Sequence, residues 1–271
     1  MSWSQASDIH QCPKMWHHKH VLRDLPRTTS EALELGKLVH SAVEQFFLTA
    51  PTKPSHNRTK RIDQSARWAW DNRPTSAIEW TDDHRRKLWL AMYSVEDQWK
   101  LKRVDVGRNG LERKMRMEYF PGWQLVGAAD MIATEGKKLV LTDFKTGKVR
   151  LRHEAPVEQV ALYAWMWEQI DGNRPIDVLS IAYLGVPGQR YKWDEFEFIK
   201  TRAVARIDGA IVKARDIING AAAVAQTSAL CGWCPALGKC EDGQEVVLKR
   251  IAAGRSASAE AIELLKEEST T

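Results

Sequence analysis

The sequence predicts a mixed fold of helices and strands, α+β or mixed-sheet α/β rather than a doubly wound parallel sheet. Three observations carry that prediction. Helical spacing dominates up to residue 102, three strand-like segments follow between 111 and 144, and one helix, 156–170, separates them from two more strands. Three strands in a row read as an antiparallel meander, which a doubly wound sheet does not contain. At 271 residues the chain makes one large domain or a domain with a small appendage, long enough to fold without disulfides or metal.

Each element has its own reason. Residues 1–25 form a short amphipathic start that holds Cys12 and a histidine-rich patch at His10, His17, His18 and His20. Over 30–48, Leu35, Val39, Val43, Phe46 and Phe47 recur at helical spacing, and Thr28 with Glu31 suits a capping box. Thr49–Arg61 is rich in Pro, Thr, Ser and Lys and predicts a loop; 62–71 and 82–102 predict helices. Strands are expected at Leu111–Tyr119, Trp123–Thr134 and Lys138–Phe144. A helix over Pro156–Ile170 has proline in its first turn, and strands return at Ile176–Leu184 and Tyr191–Phe198. An amphipathic helix over Lys200–Ile218, a cysteine segment and a short polar helix over Ser256–Glu268 complete the chain.

Composition excludes several classes. Apolar residues make up 44% and charged residues 28%, which excludes wholesale disorder, collagen and coiled coil. The longest strongly apolar run, Val160–Trp167, is too short for a membrane span, which needs about 20 residues. The first residues show no basic stretch followed by an apolar one, so the expectation is a cytoplasmic chain without a signal peptide. The net charge of +5 suits either ordinary solubility or a polyanionic partner.

The chemistry concentrates in Gly127-x-x-Asp130 and Asp143-Phe144-Lys145-Thr146-Gly147. Both carboxylates end apolar strands, where an unpaired charge is costly. A two-residue type II′ turn at Gly136-Lys137 sets a register in which paired numbers sum to 273. Asp130 then faces Asp143 at about 5 Å between Cβ atoms, and Lys145, two residues on, shares the face of Asp143. A plain Asp–Lys ion pair explains an isolated D-x-K. Two facing carboxylates call instead for a divalent cation, with Mg²⁺ the usual partner of carboxylates and phosphate oxygens, and a lysine beside them can orient water. His40, with Gly36 and Glu44 one turn to either side, can add a nitrogen ligand or simply pair with Glu44. Gln159 and Tyr163 share a helix face and can meet a nucleic-acid strand or pack in the core.

Cys231-x2-Cys234-x5-Cys240 places three thiolates within ten residues, a compact spacing that signals metal. The remaining cysteine is Cys12, and ligation by it would close a loop of about 220 residues. Zinc and a [4Fe–4S] cluster both accept four cysteines, and the spacing favours neither.

Together these residues resemble the RecB-like branch of the PD-(D/E)XK nuclease superfamily, and within it the iron–sulfur exonucleases of the CRISPR-associated "Cas-four" type and the nuclease domain of AddB-type helicase–nucleases. The matching pieces are Ser2-Trp3-Ser4 with Cys12-Pro13, Leu35-Gly36-x-x-Val39-His40 with Glu44, the two acidic motifs, Gln159-x-x-x-Tyr163 and the cysteine triplet, in order over residues 2–240. The family often carries Glu where this chain has Asp143.

The resemblance implies a restriction-endonuclease-like core with Mg²⁺ or Mn²⁺ held by His40, Asp130, Asp143 and the Phe144 carbonyl. It implies that Lys145 positions the water, that Gln159 and Tyr163 line the DNA path, and that Cys12, Cys231, Cys234 and Cys240 hold a [4Fe–4S] cluster, with zinc the lesser alternative. Glu112 stands as a further acidic contributor. The expected organisation is one nuclease domain over 1–271: core 30–48 and 111–198, helical insertion 49–110, iron–sulfur segment 1–25 plus 228–243, and tail 244–271. The expected function is a stand-alone metal-dependent exonuclease on single-stranded DNA ends, with Lys148, Arg150, Arg152, Arg202 and Arg206 tracking the backbone. The alternative is a DNA-binding adaptor in CRISPR spacer capture or recombination with little turnover. Expected partners are DNA and, beyond it, a second copy or repair and CRISPR proteins, with no membrane.

Overall fold

The structure is a computed structural model describing all residues except 27–28, 50–52, 54–55, 76–77, 100–101, 108–109, 148–154, 171, 186–188 and 269–271. These residues fall into two compact units, Thr29–Val204 and Met1–Thr28 with Ala205–Thr271.

The larger unit is built on a six-stranded sheet: β1 (Val104–Asp105), β2 (Leu111–Phe120), β3 (Trp123–Glu135), β4 (Lys138–Lys145), β5 (Val178–Tyr183) and β6 (Gln189–Trp193), in the order β1-β3-β4-β5-β6 with β2 also on β3. The β2-β3-β4 meander is antiparallel, as the sequence predicts. β4 and β5 are parallel, joined through helix α6 (Ala155–Glu168), and β6 returns antiparallel. The β3–β4 register runs from Glu135↔Lys138 to Met131↔Thr142, the expected sum of 273 at every rung. Its cause is the two-residue turn. Gly136 takes φ +65° while Lys137 stays out of the left-handed region, the type II′ pattern that needs glycine first.

Helices α3 (Glu31–Thr49), α4 (His56–Asp71) and α5 (Asp82–Trp99) cover the sheet. α3 buries Leu38, Val39, Ala42, Val43, Phe46 and Phe47, and this stripe joins Leu88, Met92, Val95, Trp99, Met131 and Phe144 in one core. The expected loop over 49–61 is shorter than its composition suggested, because α4 begins at His56. The expected cap at Thr28 lies outside the described residues.

The smaller unit holds α1 (Trp3–Gln11), α2 (Pro13–Trp16), a π-helical stretch His17–Leu22, 3-10 turns at Ala229–Trp233 and Leu237–Lys239, α8 (Glu241–Ala252) and α9 (Ala259–Glu268). Ser2 and Gln5 form a capping box on α1. The division between the units falls inside α7 (Glu197–Ile218). α8 was not expected, and the last strand is shorter than expected. From Trp193 to buried Phe196 the apolar step is three, a helical step, and Phe198 is already part of α7. Among the described residues no helix is long and apolar enough to cross a membrane.

Candidate active site

Five elements of the larger unit, α3, β2, β3, β4 and α6, converge on one open cleft of about 1340 Å³. α3 turns its apolar stripe into the core, which sets His40 on the flank facing the ends of β3 and β4. There His40 Nε2 lies 3.1 Å from the Phe144 carbonyl oxygen, and Nδ1 lies 3.6 Å from Asp130 Oδ1 and 3.7 Å from Glu112 Oε1. The pairing of His40 with Glu44, open from the sequence, gives way to these partners, although Glu44 also lines the cleft.

The β3–β4 ladder stops one rung short of Asp130 and Asp143. In place of a backbone bond, Asp130 Oδ2 accepts the Phe144 N–H at 2.7 Å. Burial pushes the Asp130 carboxyl up, and the Asp143 charge adds to it, against the pull of His40 and the Phe144 N–H, to about 7. Burial alone would lower the His40 pKa. The neighbouring Glu112, Asp130 and Asp143 outweigh it and raise it to about 9. Asp143 is 4% exposed, and its Oδ2 lies 2.8 Å from Lys145 Nζ. That oxygen nevertheless has no hydrogen-bond partner of good geometry among the described residues.

Lys145 is held from two sides. Burial would lower its pKa, but the Asp143 charge raises it, so it stays an ammonium. Its Nζ donates to Gln159 Oε1 at 3.2 Å, and Gln159 Nε2 donates to the Tyr163 hydroxyl at 2.9 Å. Tyr163 is buried, its ring pressed on Gly127, where a Cβ would stand 2.7 Å from Cε1. The glycine of Gly127-x-x-Asp130 thus has a packing reason: it admits the aromatic ring that braces Gln159 behind Lys145. Gln159 lines the cleft, while Tyr163 stands behind it.

Glu112 enters the site more fully than the motifs suggested. It falls between Leu111↔Met131 and Arg113↔Ala129, opposite Asp130. Its backbone is left-handed, with φ +44°, a conformation that costs a non-glycine residue about 1–3 kcal/mol. His40, Glu112 and Asp130 each offer an atom within 4.8 Å of the others, the only such metal-capable trio among the described residues. A two-residue turn between Phe120 and Trp123 sets a sum of 243, which would pair Glu112 with Met131; the irregularity between Glu118 and Phe120 shifts the sum to 242 and brings Glu112 opposite Asp130, and neither that shift nor the left-handed backbone has a signature in the sequence.

Of the basic residues expected along DNA, Lys148, Arg150 and Arg152 lie outside the described residues. Arg202 is tied to Glu158 at 2.7 Å, and the Arg206 guanidinium sits over the Trp3 ring at 5.6 Å.

The profile of the PD-(D/E)XK nuclease superfamily matches residues 1–241, most of the chain, including every residue of this cleft. The chain belongs to the PD-(D/E)XK nuclease superfamily. Among solved structures, a protein named "Putative exonuclease" from Eubacterium rectale aligns at TM-score 0.51 with 12% identity, covering 81% of each chain, which speaks to the shared fold. The protein SSO0001 covers 84% of this chain and 93% of its own at 14% identity, but at TM-score 0.36 it carries no weight. No curated protein matches the sequence significantly. PD-(D/E)XK nucleases use divalent metals, and the donor set fits one. The carboxylates of Asp130, Asp143 and Glu112 share the cleft, Asp130 and Glu112 stand with His40 within ligand reach of one another, and the raised Asp130 pKa marks a buried charge that a cation would relieve.

Proposed function

We propose that this PD-(D/E)XK protein is a Mg²⁺- or Mn²⁺-dependent DNA exonuclease of the RecB-like branch, acting at single-stranded ends and carrying a [4Fe–4S] cluster. The observation that supports it most is the convergence of His40, Glu112, Asp130, Asp143 and Lys145 on one cleft.

His40, Asp130, Asp143 and the Phe144 carbonyl would hold the divalent ion, with Glu112 as an added oxygen donor. When bound, the ion supplies a Lewis acid at a phosphate oxygen and eases deprotonation of water. Lys145, fixed by Asp143 and Gln159, orients the water for in-line attack. The water oxygen bonds to phosphorus, the bond from phosphorus to one ester oxygen breaks, and the departing oxygen takes a proton. Gln159 stands where it can meet the backbone beside the scissile phosphate.

The cluster reading rests on the smaller unit. Cys12, Cys231, Cys234 and Cys240 line one cavity. Burial, and then the other three sulfurs, push the Cys234 thiol up, so the four feel one another's charge. Cys12 Sγ accepts N–H groups of Met15 and Gln226, Cys231 Sγ that of Ser228, and Cys240 Sγ that of Gly243. No three of the sulfurs lie within 4.8 Å of one another. A tetrahedral zinc with Zn–S bonds of about 2.3 Å would hold them about 3.8 Å apart.

The test is incubation of end-labelled single-stranded oligonucleotide with the full chain, with and without Mg²⁺ or Mn²⁺, beside iron and zinc analysis of anaerobically purified protein. Metal-dependent shortening from one end, with iron present, is expected. Tight binding without turnover would point to a DNA-binding adaptor, and colourless protein holding zinc would end the cluster reading.

A further inference from the structure

We infer that the outer face of the α4–α5 hairpin is a second nucleic-acid subsite, a stacking platform on Trp89 flanked by phosphate contacts at Arg67 and Arg85. It would receive the single strand that leads away from the cleft. The inference rests on the nuclease reading of that cleft and adds a path for substrate beyond it.

The hairpin belongs to the region 49–110, for which the sequence offered no motif. Between its helices lies a hollow of about 610 Å³ lined by Arg67 from α4 and Asp82, Arg85, Arg86 and Trp89 from α5. Trp89 is partly buried at the edge of the main core, so its ring is anchored, and the Arg85 guanidinium stands 5.3 Å from the ring centroid. Tyr93, four residues on and therefore on the same helix face, is 45% exposed and is steadied by its hydroxyl bond to Asp63. Trp68, beside Arg67, is 43% exposed. Exposed aromatic rings of this number on one hairpin are not needed for its packing.

The charges point the same way. Asp83 is occupied by Arg86 and Lys87, and Asp63 by Tyr93. Asp82 is the carboxylate left on the hollow. Arg67 and Arg85 are exposed, and neither has an ion pair or a side-chain hydrogen bond among the described residues. Two guanidiniums without a carboxylate partner, Arg67 and the Arg85 that rests over the indole, beside an anchored ring match the alternation of phosphate and base in a single strand, and every base offers a π-face. The hairpin neighbours the cleft through its inner side: buried His84 lies 3.5 Å from Glu31, and Ala32 and Leu33, next after Glu31, line the cleft.

The test uses the full chain carrying Asp143→Asn, so that the probe survives, and fluorescein-labelled oligo(dT) of about 20 nucleotides, long enough to exceed one stacking site. Arg67→Glu with Arg85→Glu is expected to weaken binding at least tenfold. It should also flatten the log–log salt dependence by about 1.4, the share of two single-strand phosphates. Trp89→Leu should weaken it about tenfold, and Trp89→Phe, which keeps a π-face, much less. Arg215→Glu with Arg255→Glu, equal in charge but in the smaller unit, serves as the control. If the hairpin pair weakens binding no more than the control, the subsite is wrong, and the aromatic face serves something other than nucleic acid. If the unsubstituted chain leaves the same oligonucleotide intact in Mg²⁺ and Mn²⁺ while the hairpin pair still loses affinity, the nuclease reading fails and the subsite stands.

Discussion

The acidic cleft and the cysteine cavity both gather donors from distant parts of the chain, but with opposite materials. The cleft draws on long regular elements, α3, β2, β3 and β4, and packs charges that oppose one another: a carboxyl raised to about 7 beside a histidine raised to about 9. The cavity draws on 3-10 turns and helix starts, and its sulfurs receive backbone N–H groups. The rigid sheet holds oxygen and nitrogen donors in a conflict that a hard cation relieves. The smaller unit holds four soft donors in one cavity, and the proposed cluster would cross-link them beside a local core of Leu237, Val247, Ala261 and Leu265. An exchangeable ion suits the first region and a resident group the second.

The sharpest way to break this contrast is to damage each region alone. Asp143→Ala or Lys145→Ala should lower the cleavage rate by about 10³-fold, the scale of losing one preorganised charge partner in a transition state. Iron content in the purified variant should not change. Cys234→Ser should do the reverse: iron is lost, and the smaller unit loses about 2 kcal/mol or more, the scale of losing a cross-link that spans the chain. Differential scanning calorimetry with iron analysis reads both. Equal loss of iron in the two sets would erase the distinction.

The cleft alone should answer to pH in the neutral range. Asp130 has to release a proton near 7 and His40 near 9 before either can ligate. Mg²⁺ or Mn²⁺ binding should therefore tighten at least tenfold between pH 6 and 8, measured by titration calorimetry. The signs on stability differ. With its folded pKa raised, Asp130 costs the metal-free fold progressively more as pH rises from about 4 to 7. His40, raised as a cation, contributes stability below about 6.5 that is lost as pH climbs through 9. The smallest expected effect is Gly127→Ala. The new Cβ would displace Tyr163 and loosen Gln159 behind Lys145, lowering the rate about fivefold and stability by about 1 kcal/mol. Normal activity with the same Tyr163 environment would show that the bracing chain does not reach Lys145.

The sequence made parts of this legible for physical reasons. A glycine-first turn dictates a register, and with it the sum of 273 that carries Asp130 toward Asp143. Helical spacing in 30–48 put His40 on the flank of a buried stripe. Other parts had no local signal. The left-handed backbone at Glu112 leaves no mark in the residue pattern. The role of Gly127 depends on a ring 36 residues away in the chain. The two-residue β1 is too short to leave a pattern. α8 begins at the last cysteine, where Cys240 Sγ caps it, a cap that composition alone does not reveal.

A divalent-ion site shared by Asp130, Asp143 and His40, with Lys145 beside it, is open to Mn²⁺ binding followed by electron paramagnetic resonance, with cleavage of an end-labelled single strand in the same samples. Mn²⁺ should bind with histidine nitrogen coupling in the unsubstituted chain, and the coupling should be lost in His40→Ala. Lys145→Ala should keep the ion and lose about 10³-fold in cleavage rate. Cleavage that persists in both variants, or Mn²⁺ that binds unchanged without His40 and Asp130, would contradict that site.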